Sequence, residues 1–153
     1  DIYRKTGGEH WLNNAGWLTK SNHCSWHGIK CDAKGFVSEV DLTRNNITGE
    51  FPADSLSKLY QLETLLLADN QLRGTMAGTN DRSIDEKRFL LISDTSVFFN
   101  LHQLHRVDLS RNELSGEVDV LFAPAVKHVN FSHNRFTSVN RFKKFKRSHS
   151  TLK

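Results

Sequence analysis

The chain has 153 residues and a formal net charge of +4. This length suits one domain that would bury about 70% of its unfolded surface, and the basic excess is too small to indicate nucleic-acid binding by itself. No stretch reaches the about 18 consecutive apolar residues of a membrane span, and no signal peptide is visible, although one could have been removed from a mature chain.

The first 36 residues contain no repeat and hold all three tryptophans of the chain, Trp11, Trp17 and Trp26. A short opening helix is expected to stop at Thr6-Gly7-Gly8. Side chains as large as tryptophan can seal the open end of a hydrophobic core. We therefore interpret residues 1–36 as an N-terminal cap, and we favour this over a sugar- or ligand-binding tryptophan platform.

Cys24 and Cys31 are the two cysteines of the chain, and they lie close together in the cap. A metal site would usually need four ligands, so we expect no metal and no cofactor here but one local disulfide. A disulfide that closes a loop this short stabilises the folded state by about 2.5 kcal/mol in the chain-entropy model. If the bond forms, it indicates an oxidising compartment.

One pattern, L-x-x-L-x-L-x-x-N-x-L, occurs four times after the cap and is the leucine-rich-repeat signature. Its fourth and sixth positions share one face of a strand, which can be buried only against a neighbouring coil. Its asparagine can satisfy orphaned backbone groups. Residues 37–153 are therefore predicted to form an α/β leucine-rich-repeat solenoid, a curved right-handed superhelix with a parallel β-sheet on the concave face and an irregular or short helical convex side. The copies begin at Val37, Leu62, Leu104 and Val126, and their asparagines are Asn45, Asn70, Asn112 and Asn134.

The cap and the first repeat add a more specific likeness. Tyr3…Thr6-Gly7-Gly8-x-x-Trp11, Gly16-Trp17-Leu18, Cys24-Ser25-Trp26-His27-Gly28-Ile29-Lys30-Cys31 and Asn45-Asn46-Ile47-Thr48-Gly49-Glu50-Phe51-Pro52 together resemble plant- and algal-type extracellular leucine-rich-repeat proteins. Met76 and Val118 depart from that pattern because no proline follows them, and Ser138 replaces a glycine. The resemblance implies a solenoid that binds other molecules, often as a receptor ectodomain or a secreted inhibitor.

The middle interval, from Asn70 to Asn112, is much longer than the intervals on either side. The segment 77–94 can be an inserted loop, or the segment 87–97 can be an irregular repeat in register with the others. We favour an extra, irregular strand preceded by a protruding loop, giving an irregular insertion near 77–98. Long loops on a rigid scaffold often carry function, but a tolerated insertion is about as plausible.

The C-terminal segment 141–147 is rich in lysine, arginine and phenylalanine and is predicted to be a solvated helix on the convex side. Leu152 has the spacing of the first leucine of a further repeat. We therefore expect the chain to be a fragment of a longer protein.

The residues between the buried repeat positions should face the concave sheet, and they are the candidate binding residues. This surface is mixed in charge and has few aromatic anchors, so the sequence predicts the face but not the ligand. The candidates are Glu39, Asp41, Thr43, Arg44, Thr64, Leu66, Ala68, Asp69, Arg106, Asp108, Ser110, Arg111, His128, Asn130, Ser132 and His133.

Asn46 and Asn130 each begin an N-x-(S/T) glycosylation acceptor sequence. A glycan at Asn130 would obstruct the concave face, so we favour Asn46. No H-E-x-x-H or G-x-S-x-G motif occurs, and the eight histidines do not have ligand spacing. No catalytic residues are therefore expected.

The leading hypothesis is a non-catalytic module that binds a protein or peptide, extracellular or at the cell surface. The alternative is an accessory structural subunit contacting neighbouring subunits of a large membrane or organellar assembly, in an organelle lumen. An enzyme is the weakest option. No nucleic-acid partner and no membrane span in this segment are expected.

Overall fold

A computed structural model describes residues 2–76, 98, 101–119 and 125–140. The inserted loop or irregular repeat expected within 77–97, the basic helix expected at 141–147 and the further repeat expected at Leu152 lie outside these residues. None of the helices in the described ranges is long and apolar enough to span a bilayer.

The described elements are short. The α-helices are α1 (Ile2–Lys5) and α2 (Ala53–Leu56), and the cap also has 3-10 turns at Gly8–His10 and His23–Ser25. In chain order the strands are β1 (Ile29–Cys31), β2 (Val37–Asp41), β3 (Thr48–Glu50), β4 (Thr64–Leu66), β5 (Gln71–Gly74), β6 (Arg106–Asp108), β7 (Glu113–Asp119), β8 (His128–Asn130) and β9 (Arg135–Asn140).

The first sheet has the strand order β1-β2-β4-β6-β8. The cap strand β1 pairs antiparallel with β2, and the other pairs are parallel. The fourth position of every repeat is in register across this sheet, where Val40 pairs with Leu65, Leu65 with Val107, and Val107 with Val129. The predicted parallel sheet is confirmed.

Strands β4 and β6 are direct neighbours, although the sequence between them is the longest interval between repeats. Leu65 pairs with Val107 in this sheet, and Gly74 of β5 pairs with Leu114 of β7 on the other side of the coil. The second and third coils therefore stack directly on each other. Our expectation of an extra, irregular strand concerns a segment outside the described residues and stays a prediction.

A second parallel sheet, of order β3-β5-β7-β9, occupies the other side of the coils. We predicted an irregular or short helical convex side, and α2 is the helical element that fits this description. The second sheet forms because the segment after each repeat asparagine is extended: Leu72 is buried while its neighbours Gln71 and Arg73 are exposed, the alternation of a half-buried strand.

The hydrophobic core lies between the two sheets. Leu42, Leu65, Leu72, Leu109 and Leu114 are fully buried, as the repeat pattern predicts. The side chains of the last described coil are less covered: Val129, Phe131 and Phe136 are only partly buried.

The cap closes the first coil with aromatic side chains. Trp11 and Trp17 are buried and meet edge to face with ring centroids 4.9 Å apart, and Tyr3 packs on Trp11 at 5.3 Å. Trp11 Nε1 donates to the carbonyl of Thr6, and Trp17 Nε1 donates to the carbonyl of His27. Two of the three tryptophans thus belong to the core, as expected for a cap, with Trp26 partly buried beside them.

The predicted disulfide between Cys24 and Cys31 is present, with Cα atoms 5.5 Å apart. Cys31 ends β1, so the bond ties the 3-10 turn at His23–Ser25 to the edge of the first sheet. Both ends of this tether lie in the cap, whose strand β1 pairs with β2 of the first repeat.

Candidate functional site

The outer face of the first sheet, which the sequence predicts to be concave, presents its side chains in rows. The rows arise because parallel strands in register place equivalent residues side by side, about 4.8 Å apart. One row contains Glu39, Thr64, Arg106 and His128, and the next contains Asp41, Leu66, Asp108 and Asn130.

The backbone ladder continues beyond the strands. The Leu42 and Arg44 N–H groups donate hydrogen bonds to backbone carbonyls of the second coil. Equivalent hydrogen bonds join the second coil to the third and the third to the fourth. Two further rows follow in the same way. One contains Thr43, Ala68, Ser110 and Ser132, and the other contains Arg44, Asp69, Arg111 and His133.

In the first, third and fourth coils, an acid or amide side chain accepts a hydrogen bond from the backbone N–H of the hydroxyl residue two positions later. Asp108 Oδ1 accepts hydrogen bonds from the backbone N–H and the Oγ of Ser110, at 3.0 and 2.6 Å. Asn130 Oδ1 accepts the equivalent pair from Ser132, and Asn130 Nδ2 donates to Asp108 Oδ2 at 3.3 Å. Both carboxylate oxygens of Asp108 are therefore engaged within the protein.

Asp69 lies between two arginines of the neighbouring coils. Its Oδ2 is 3.3 Å from Arg44 Nε, and its Oδ1 is 3.6 Å from Arg111 Nε. These three residues and His133 all have left-handed backbones, with φ between 54° and 56°, so the turn after each strand aims the side chains in the same direction. The result is a rim of paired charges along one edge of the face.

On the first coil, Glu39 accepts a hydrogen bond from Lys30 Nζ at 2.6 Å. This hydrogen bond and the charge of Glu39 raise the pKa of Lys30 above its ordinary value. The cap strand β1 thus offsets part of the acidic charge at this end of the sheet.

Two of the predicted contact residues have little solvent-exposed surface. Ser110 is 6% exposed and Ala68 is 7% exposed, and Ser110 Oγ is bound to Asp108. They lie on the predicted face, but we correct the expectation that they are available to a ligand. Leu66 stays half-buried and is the large apolar side chain at the centre of the face.

The two glycosylation candidates lie in different environments. Asn46 is half-buried beside the cap, where its Nδ2 donates to the carbonyl of His10 and its Oδ1 accepts from Gln71 Nε2. Asn130 is exposed on the face itself. The preference for Asn46 remains a prediction.

The cap and the first two coils border an open depression of about 320 Å³ that sequence reasoning missed. Leu12 of the cap contributes to it together with Arg44, Asn46, Asp69 and Gln71. The repeat pattern carries no signal for this depression, because Leu12 reaches it only when the cap folds against the coils.

Among the described residues, one group of potential metal ligands comes together: His23, Cys24 and Cys31. Both sulfur atoms are consumed by the disulfide, and metal binding by cysteine requires the thiolate. This arrangement is therefore a disulfide with a histidine beside it.

Comparisons with known proteins agree with this architecture. No family model matches the chain. Receptor-like protein 7 of Arabidopsis thaliana is 34% identical over 111 residues, which cover 71% of this chain and 10% of that protein. The chain thus spans about a tenth of the length of this curated relative.

Solved structures show the same fold. The Arabidopsis receptor kinase HAESA, in complex with the peptide hormone IDA and the co-receptor SERK1, superposes with a TM-score of 0.60 and 28% identity, covering 77% of this chain and 17% of that one. A plant ice-binding protein superposes with a TM-score of 0.66 at 19% identity, covering 88% of this chain and 38% of that one. Since a fold shared at such low identity does not specify function, the latter likeness concerns architecture alone.

Proposed function

The chain is a leucine-rich-repeat solenoid homologous to plant receptor-like proteins, and on this premise we propose that it is a recognition module that binds a peptide or protein through the outer face of its first sheet. The observation that carries the proposal is the regular array of exposed polar and charged side chains on a rigid sheet. A rigid scaffold of this kind binds without a large loss of conformational freedom. The proposed role is non-catalytic.

The two sides of the coils support this assignment to different degrees. On the second sheet, charged side chains form ion pairs between neighbouring strands, as Arg73 does with Glu50 and Arg135 with Glu113. On the first sheet, half-buried Leu66 lies among polar residues, and the exposed Arg106 and His128 stand side by side. An apolar residue surrounded by polar groups is the usual composition of a binding site.

The proposed location is outside the cell or at the cell surface. The disulfide between Cys24 and Cys31 supports it, because such bonds persist in oxidising compartments. The HAESA complex, with its peptide hormone and co-receptor, supports a peptide or protein as the class of partner.

A random-peptide display library selected on the immobilised chain tests the proposal. Two variants of the second coil form a matched pair: Leu66→Lys alters the first sheet, and Gln71→Lys adds the same side chain to the second. Selected peptides should lose about tenfold or more in affinity with Leu66→Lys, as for a central contact, and should retain their affinity with Gln71→Lys. Peptides that respond only to Gln71→Lys, or to neither variant, would overturn the assignment of the face.

A further inference from the structure

Four basic residues occupy neighbouring backbone positions where the strands of the third and fourth coils begin. Arg106 and His128 are register partners at the start of β6 and β8. His105 and Lys127 precede them in the chain, and the Lys127 and His128 N–H groups both donate to the His105 carbonyl. We call His105, Arg106, Lys127 and His128 the basic patch.

The equivalent positions of the first and second coils are acidic or neutral. Thr64 is the register partner of Arg106, and Glu39 is the register partner of Thr64 in the same row. Ser38 and Glu63 occupy the positions equivalent to His105 and Lys127. Backbone hydrogen bonds join Glu63 to Ser38 and His105 to Glu63 in one continuous ladder. Charge therefore changes sign along this edge of the sheet, from acidic in the first two coils to basic in the next two.

The basic patch has no internal counter-charge in the part of the chain that the structure describes. Within those residues, no carboxylate lies within ion-pair distance of His105, Arg106, Lys127 or His128. The lysine and arginine side chains elsewhere on the face differ, because Lys30 is paired with Glu39, and Arg44 and Arg111 are paired with Asp69. Three of the four side chains in the patch are exposed, and His105 is half-buried.

Resting on the proposed function, we propose that the basic patch binds the acidic segment of an extended peptide ligand, and that it fixes the direction in which the ligand lies across the sheet. Oppositely charged surfaces attract each other, and like charges that meet cost free energy, so charge complementarity sets the register of a complex. The acidic end of the ligand lies over the third and fourth coils. The acidic edge of the first two coils repels it.

Leu66 makes a peptide a better occupant than an anionic polysaccharide. Its side chain is in register with Asp41 on one side and Asp108 on the other, in the row next to Arg106. A ligand that reaches both the patch and Leu66 needs carboxylates followed by an apolar group. Amino-acid side chains supply that combination, whereas a uniform polyanion does not.

Fluorescence anisotropy with a labelled, extended peptide rich in glutamate and leucine tests the proposal, with a second probe in which glutamine replaces every glutamate. The double variant Arg106→Gln with Lys127→Gln should weaken binding of the glutamate probe about fivefold, the size expected for two exposed ion pairs. It should leave binding of the glutamine probe unchanged. The loss should shrink as salt is added, because exposed charges are screened.

A matched control removes the same net charge elsewhere: Lys20→Gln with Lys58→Gln changes two exposed lysines away from the face. Equal losses from the two double variants, equal binding of the two probes, or no binding of the glutamate probe would overturn the proposal. Displacement of the glutamate probe by polygalacturonate at equal carboxylate concentration would assign the patch to a polyanion instead. If selected library peptides still depend on Leu66 in any of these cases, the proposed function stands while this inference fails.

Discussion

The side-chain oxygen of Asn70 accepts a hydrogen bond from the backbone N–H of Asn45, at 3.0 Å, across the boundary between the first and second coils. Across the same boundary, Asn70 Nδ2 donates a hydrogen bond to the carbonyl of Leu42, at 2.9 Å. Asn45 in turn binds the cap, where its Oδ1 accepts from the Asn13 N–H and its Nδ2 donates to the Asn13 carbonyl. One asparagine per coil thus joins each layer to the layer before it.

Replacing Asn112 by leucine should cost about 1–3 kcal/mol of unfolding free energy for each buried backbone group left without a partner. The Leu72 N–H, which donates to Asn112 Oδ1, loses its partner, whereas the Leu67 carbonyl, which accepts from Asn112 Nδ2, keeps Asn70 Nδ2 as a donor. Urea denaturation measures the loss. Gln103→Leu, at an exposed position of the same coil, should change stability by no more than about 0.5 kcal/mol. Equal effects of the two substitutions would contradict the structural role of Asn112.

Substitutions at two glycines with nearly the same backbone conformation allow backbone strain to be distinguished from steric overlap. Gly49 and Gly35 have φ of 86° and 84°. A Cβ at Gly49 would lie 2.6 Å from the Lys5 carbonyl oxygen, whereas one at Gly35 meets nothing within 4 Å. Gly35→Ala should therefore cost about 1–2 kcal/mol from the left-handed backbone alone, and Gly49→Ala should cost clearly more. Thermal unfolding of both variants provides the comparison, and a smaller loss at Gly49 would refute it.

The repeat spacing was enough to predict the first sheet, the buried leucines and the asparagine ladder, because each depends on a residue type at a fixed distance from its neighbours. Leu65 and Asn70 could be placed in this way without any coordinates. The cap tryptophans and the disulfide could be predicted for a similar reason, since their residue types have few alternative roles.

The second sheet and the ion pairs could not be predicted from the repeat spacing. Strand β5 has only one buried residue, Leu72, in its alternation, which is too short a pattern to indicate a strand. The ion pair of Arg111 with Asp69 requires adjacent second and third coils. The long interval before Arg111 allowed either an inserted loop or an irregular repeat, so the sequence did not predict that these coils are adjacent.

Reduction of the disulfide should destabilise the protein by about 2.5 kcal/mol, because the short loop between Cys24 and Cys31 would regain conformational freedom when unfolded. The expected result is a lower thermal midpoint in the presence of a phosphine reductant. The double variant Cys24→Ser with Cys31→Ser should show a similar loss and no further response to the reductant. A midpoint that the reductant does not move would mean that the bond contributes nothing to stability, or does not form.

Adjacent residues of the cap, Trp11 and Leu12, distinguish a core role of the tryptophan cluster from a ligand platform. Trp11 is 5% exposed, whereas Leu12 is 76% exposed. Trp11→Ala should cost about 3–5 kcal/mol, the usual penalty for removing a buried aromatic side chain, and Leu12→Ala should cost about 0.5 kcal/mol or less.

Chemical denaturation followed by far-ultraviolet circular dichroism measures both losses without relying on the tryptophan signal. The Thr6 carbonyl keeps one donor in the Trp11 variant, because the Thr48 N–H also binds it, so the loss should report mainly on packing. If the Trp11 variant were as stable as the parent protein but bound selected peptides more weakly, the cluster would instead be part of a ligand site, and the cap would need another explanation for its stability.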